Sequence, residues 1–171
     1  MEQGGIFATD GSSGWSSANR IFVKYCTSDF WSGDAAASDE TWGFAFRGSR
    51  VVAAVITDLL ENKGMGSTPG QRLLFGGCSA GAIGAMNNID AVGAMLPPGL
   101  DYRNLLDGAA LLDIQPSGWP WSAELETLQD LMANLTAVSS PQFPTYCATN
   151  FPGQEWKCLI GQARHIGGVR R

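Results

Sequence analysis

Imidazole is almost absent from this chain: His165 is the one histidine in 171 residues. No Cys or Asp stands at metal-ligand spacing from it, and none of the four cysteines forms a Cys-x-x-Cys pair, so the pattern of a zinc site is missing. Charge is scarce as well, at 16% of residues, with 11 Lys and Arg against 16 Asp and Glu for a net charge of −5. The basic residues are scattered except at the extreme C-terminus, which leaves no stripe to track phosphates and argues against nucleic acid as a partner. No uncharged apolar run reaches the roughly 18 residues of a membrane-spanning helix. The opening residues, Met1 to Ser17, are polar and rich in Gly and Ser and lack the basic start and apolar stretch of a secretory signal. Four cysteines in a chain of this length are too few for a disulfide-built scaffold, so a hydrophobic core must carry the fold.

Apolar residues make up 44% of the chain, enough for one domain or a large piece of one. Residues 1–19 read as a flexible segment, 20–160 as the folded unit and 161–171 as a basic, disordered tail. Arg20 to Tyr25 has the β-branched and aromatic content of a short strand, with a loop after it from Cys26 to Ala37. Val51, Val52, Val55, Ile56, Leu59 and Leu60 recur at helical spacing, predicting a helix over Ser49–Lys63 with Ser49 as its cap and Gly64 at its end. Arg72 to Phe75 predicts a buried strand, Gly76 to Gly81 a sharp turn, and Ala82 to Met95 a buried helix closed by Pro97, Pro98 and Gly99. A third strand is expected over Leu106–Ile114 and a further helix over Ala123–Val138. Strands alternating with helices give an α/β fold with a mostly parallel sheet.

The sharpest chemical signal is Gly77-Cys78-Ser79-Ala80-Gly81, a Gly-x-Ser-x-Gly run between a predicted strand and a predicted helix. That context describes a nucleophile elbow, in which small residues two positions either side of the serine let helix and strand pack closely. Ser79 would stand at the C-terminal edge of the sheet, and the Ala80 N–H at the helix start could donate to a developing oxyanion. The competing reading is a Gly-rich turn whose serine merely caps the helix, and the pattern alone weights the two equally. Cys147 and Cys158 bracket a loop containing Pro, Gly and Trp: either a disulfide closes it, or both are buried thiols. Asp29 and Trp31 lie in a loop after a strand and could line a substrate cleft, although loop Asp more often bonds local backbone. Asp113, at a predicted strand end, could orient a base or form a turn. Asn134-Leu-Thr136 fits a glycosylation sequon within a predicted helix.

Beyond the elbow, Tyr25-Cys-Thr-Ser-Asp29-Phe-Trp31-Ser-Gly33, Phe46-Arg-Gly48-Ser-Arg50, Asn88-Ile-Asp90, Asp113 with Ser117-Gly118-Trp119, and Glu155-Trp156-Lys-Cys158 follow in order. Over roughly Ile21 to Leu159 the chain resembles the pectin acetylesterase family, which includes the Notum carboxylesterases. The resemblance implies an α/β-hydrolase-like fold, secretion, no metal or organic cofactor, and ester hydrolysis by a Ser, Asp, His triad. The substrate would be an acylated polysaccharide or an acylated protein. It places the nucleophile at Ser79 and a cysteine pair at Cys147 and Cys158. The family's upstream Gly-Gly-Gly-Trp-Cys-type segment has only Gly4-Gly5 as an echo, and the family's triad Asp and His lie beyond the Trp-x-Cys run. The expectation is therefore a monomeric chain truncated at both ends. His165 follows Ser79 in the order a triad base requires, yet it sits in a tail unlike the family and reads as a solvated residue. Two outcomes remain open from sequence: a serine ester hydrolase, or a fragment that keeps the elbow and at most binds an acylated ligand.

Overall fold

The computed structural model describes residues 5–109 and 127–159. Its centre is a β-α-β unit. Strand β1 (Arg72–Cys78) leads through Ser79 into helix α2 (Ala80–Met95), and the chain returns as β2 (Asp101–Asp107), parallel to β1. The register runs from Arg72 beside Asp101 to Cys78 beside Asp107. Helix α1 (Gly48–Asn62) precedes the unit, and α3 (Leu128–Ser139), α4 (Thr145–Asn150) and a 3-10 turn (Glu155–Leu159) follow it. Among the described residues no helix is long and apolar enough to cross a membrane.

Two apolar clusters hold this arrangement. In one, Val52 and Ile56 of α1 meet Val92 of α2 and Trp31, with Leu73, Phe75 and Tyr102 of the sheet packed against them. This is the stripe that helical spacing predicts, and each fully buried aliphatic side chain contributes about 1.5–3 kcal/mol. In the other, Ala82 and Ile83 in the first turn of α2 meet Ala109, Met132 of α3, and Trp156 and Leu159 of the final 3-10 turn. Helix α2 is thus covered on both flanks, which explains why Ala82, Ile83, Ala85 and Val92 are all buried.

Several sequence expectations are corrected. Arg20–Tyr25 forms no strand in the described residues: β-branched content favours extended backbone, but a strand also needs a partner to pair with. Ser49 does not cap α1; its hydroxyl donates to the Gly33 carbonyl at 2.8 Å. Position N-cap belongs to Arg47, which makes no side-chain cap bond, and the helix start is instead served by Asp29, whose Oδ2 accepts the Gly48 N–H at 2.7 Å. Gly64 does end the helix with a φ of +71°, the left-handed conformation that glycine adopts without strain. The strand expected over Leu106–Ile114 begins earlier, at Asp101. Strand β1 runs on to Cys78 and is half-exposed rather than fully buried, because among the described residues only one face of the sheet is covered. On that covered face lie Leu73, Phe75 and Tyr102; the other carries Arg72, Asp101 and Arg103, with Arg72 to Asp101 at 3.0 Å and Arg103 to Asp101 at 2.6 Å.

Helix α3 agrees with expectation at its C-terminal end, and the Thr127 side chain caps it by accepting the Asp130 N–H at 3.0 Å. Asn134 is exposed on it. Residues 5–19 contain a 3-10 turn, Gly5–Phe7, and the Arg20 guanidinium donates to the Ala8 carbonyl at 3.0 Å. The readings for Asp113, for Ser117 to Trp119 and for His165 with its tail lie outside the described residues.

Candidate active site

Ser79 occupies the turn between β1 and α2 with φ 54° and ψ −121°. A non-glycine residue held there costs on the order of 1–3 kcal/mol and persists only where its surroundings fix it. Main-chain bonds do so on both sides. The Ser79 N–H donates to the Asp107 carbonyl at 2.8 Å, and the Ser79 carbonyl accepts from Ala82 N at 2.9 Å and Ile83 N at 3.1 Å. Ser79 stands at the N-cap position of α2, yet its side chain makes no capping bond, and the residue is exposed. The hydroxyl therefore does not cap the helix. Ala80 opens the helix, and first-turn N–H groups have no intrahelical acceptor, so this donor lies beside the hydroxyl at the positive end of the helix dipole.

The two glycines of the motif have different roles. A Cβ on Gly77 would lie 2.4 Å from the backbone C and O of Gly81 and 2.9 Å from Ala82 N, closer than any real contact. The strand and the helix touch there through bare backbone. A Cβ on Gly81 would meet nothing within 4 Å. Its side-chain position is open, which corrects the expectation that both glycines must be small. One residue earlier on β1, Gly76 is equally confined, its Cβ position being 2.1 Å from the carbonyl oxygen of Leu105 on β2.

Sequence reasoning missed Asp107 and Gly108, which end β2 beside the elbow. Parallel pairing sets Asp107 next to Cys78, and hydrogen bonding toward the Asp107 carboxylate, then its charge, then burial push the Cys78 thiol above its ordinary value. Gly108 follows with φ +64°. An Asp-Gly pair closing an alternating apolar stretch was the available signal.

Asp29 and Trp31, expected at a substrate cleft, are both buried, at 1% and 7% exposure. Asp29 Oδ1 accepts the Thr27 hydroxyl at 2.5 Å and the Trp31 N–H at 3.0 Å, while Oδ2 serves Gly48. Its carboxylate is fully engaged in joining the 27–34 loop to α1. Trp31 wedges against α2: a Cβ on Gly84 would fall 2.5 Å from the Trp31 ring and 2.6 Å from the Phe30 carbonyl oxygen. Asn88, on the next turn, donates to the Trp31 carbonyl at 2.9 Å. Neither Asp29 nor Trp31 is presented to a ligand, because Asp29 ties the loop to α1 and Trp31 packs it between α1 and α2. A depression of about 250 Å³ lies between α1 and α2, lined by Asp34, Arg50, Val52, Asn88, Val92 and Met95. It does not include Ser79.

Cys147 and Cys158 form a disulfide, with Cα atoms 5.9 Å apart, which closes α4 onto the final 3-10 turn. Cys26 and Cys78 are free and exposed. Among the described residues no cluster of three His, Cys, Asp or Glu could hold a metal ion.

Comparison with known proteins agrees with this geometry. The Pectinacetylesterase family model matches residues 4–165. The palmitoleoyl-protein carboxylesterase notum1 of Xenopus laevis is 34% identical over 154 residues, covering 86% of this chain and 31% of that protein. The mouse palmitoleoyl-protein carboxylesterase NOTUM is 33% identical over 156 residues, covering 86% and 30%. The crystal structure of the Wnt deacylase Notum from Drosophila superposes with a TM-score of 0.79 at 27% identity, covering 88% of this chain and 43% of that one. The chain thus spans about a third of the length of the curated relatives it matches. An α/β-hydrolase-like unit, a strained serine turn whose hydroxyl does not cap the helix, and a match across nearly the whole sequence lead to one assignment: the chain belongs to the pectinacetylesterase family.

Proposed function

We propose that this chain carries the nucleophile of a serine carboxylic-ester hydrolase that removes an acyl group from a polysaccharide or a protein outside the cell, acting as a monomer and without metal or organic cofactor. The observation that supports it most directly is Ser79 itself, strained at φ 54° with its hydroxyl released from capping. In the reaction, Ser79 Oγ attacks the ester carbonyl while an imidazole takes its proton. The oxyanion that develops accepts the Ala80 N–H. Collapse expels the alcohol, which receives the proton, and leaves an acyl-Ser79 ester. Water, deprotonated by the same imidazole, then releases the carboxylic acid and restores Ser79.

Ser79 requires an imidazole within about 2.6–3.2 Å, and the chain's one histidine, His165, lies outside the described residues. A serine stripped of its base retains only about 10³ to 10⁴-fold catalysis over water. The test measures hydrolysis of an aryl acetate and an aryl palmitoleate by this chain and by the longest in-frame product of its transcript. The 171-residue chain is expected to match its own Ser79→Ala variant, which fits the alternative of an incomplete catalyst. The longer product is expected to turn over and to lose activity on Ser79→Ala. Activity of the longer product that survives this substitution removes Ser79 as nucleophile. Turnover by the short chain that disappears in both Ser79→Ala and His165→Ala identifies His165 as the base. Preference for the short or the long acyl chain separates an acetyl substrate from a lipidated one.

A further inference from the structure

Asn134-Leu-Thr136 is the one Asn-x-Ser/Thr sequence in the chain, and its middle residue is not proline. We propose that Asn134 is the acceptor of an N-linked glycan, attached before helix α3 closes around it and carried afterwards on the open face of that helix. Its occurrence in the cell rests on the extracellular reading above; the acceptor chemistry is independent of Ser79. In the transfer, Asn134 Nδ2 attacks the anomeric carbon of an oligosaccharide carried on a lipid diphosphate. A carbon–nitrogen bond forms and the bond from that carbon to the phosphate oxygen breaks. The lipid diphosphate leaves with the electron pair, and one amide proton passes to a base of the transferase.

The folded chain has room for the sugar. Asn134 is exposed on α3, and Asp130 and Ala137, which share its side of the helix at spacings of four and three, are exposed as well. Met132, on the opposite side, is buried in the cluster of Ala82, Ile83, Trp156 and Leu159. The acceptor nitrogen is also spare. Asn62, Asn87, Asn88 and Asn150 each donate their Nδ2 to a neighbouring oxygen; among the described residues Asn134 makes no such bond, so a glycan there displaces nothing. An independent observation fits the compartment. The Cys147–Cys158 disulfide belongs to an oxidising environment, and the lumen of the endoplasmic reticulum, where such glycans are attached, is one. The order of events follows from α3 itself. Side chains two apart on a helix do not face each other, and the Thr136 hydroxyl donates to the Met132 carbonyl at 2.8 Å. It therefore does not reach back to the Asn134 amide as transfer requires, and the closed helix is no substrate. Yet α3 has 12 residues, a length at which an isolated helix is marginal in water. Without Trp156 and Leu159 against Met132, the sequon is free to take an extended form.

The test incubates the 171-residue chain with oligosaccharyl transferase and a lipid-linked oligosaccharide, once folded with its disulfide formed and once unfolded, reduced and alkylated. Peptide mass spectrometry is expected to locate the glycan on Asn134 in the unfolded sample, with occupancy at least about tenfold lower in the folded one, where transfer must wait for local opening. Asn134→Gln and Thr136→Ala should abolish the modification, and Thr136→Ser should keep it, because the hydroxyl and not the methyl group is required. The unfolded arm reads these variants whatever their stability. In a eukaryotic secretory cell, the chain behind a cleavable leader is expected to emerge with a glycosidase-sensitive glycan on Asn134. An unfolded chain or a secreted chain left bare at Asn134 overturns the acceptor, and equal occupancy of folded and unfolded chains overturns the order of events. No readout involves an ester, so loss of the Ser79 assignment leaves the result standing. If the longest in-frame product of the transcript, given no added leader, stays in the cytosol while the leader-bearing chain is modified, the extracellular reading fails and the acceptor stands.

Discussion

Of the places where this molecule holds non-glycine residues at positive φ, the 27–34 loop and the elbow do opposite things with their polar groups. In the 27–34 loop, Ser28, Phe30 and Trp31 all lie between φ 52° and 58°, and the carboxylate at their centre, Asp29, is buried and accepts the Trp31 and Gly48 N–H groups. At the elbow Ser79 has φ 54°, but its backbone is held by other backbone and its side chain makes no capping bond. Strain alone therefore does not tell the two turns apart. What distinguishes them is whether the polar side chain is a support of the turn or is carried by it.

The largest effect that sharpens this contrast is expected at Asp29. Replacing it by Ala leaves the Thr27 hydroxyl and the Trp31 and Gly48 N–H groups unmatched. At about 1–3 kcal/mol for each buried unsatisfied donor, the loss in stability should be about 3 kcal/mol or more, read from urea denaturation. Ser79→Ala should change the same curve by less than about 0.5 kcal/mol, the range of substitutions that touch no buried support. A stability loss at Ser79 as large as that at Asp29 would break the comparison, because the serine would then be a support as well.

A smaller effect is expected within the elbow. Gly77→Ala places a methyl group into the backbone of Gly81 and Ala82 and should cost about 1–3 kcal/mol, as overpacking does, with faster exchange in the first turn of α2. Smallest of all is Gly81→Ala, whose added methyl meets nothing and replaces glycine inside a helix. Stability should stay constant or rise by up to about 1 kcal/mol. Equal penalties at the two glycines would mean that the close contact is not where the geometry locates it.

The elbow was legible in the sequence because its requirements are local: an apolar strand, a small residue, the serine and a helix-forming run all lie within a short stretch. Helix α1 was legible for the same reason, its Val52 and Ile56 recurring on the buried stripe. Its cap was not, because Asp29 reaches it from far along the chain, and nearby Ser49 was the better local candidate. Strand β2 was expected too late because Ala109 to Leu112 is the more apolar run, whereas the real strand alternates between a covered and an open face, with Tyr102 packed and Arg103 exposed. Asp29 and Trp31 were assigned to a cleft on loop position alone; only the fold reveals that the loop passes between helices and is itself part of the core.

The cover over the start of α2 has a consequence for how the chain is made. Ala82 and Ile83 leave the ribosome before the residues that bury them, Met132, Trp156 and Leu159. Until then the first turn behind the serine presents bare apolar surface, the state in which nascent chains aggregate or recruit chaperones. The Cys147–Cys158 bridge cross-links the later-made 3-10 turn to α4, so oxidation acts as a latch that closes once the elbow helix has found its cover. The helix behind Ser79 becomes secure only once the segment through Leu159 has been made.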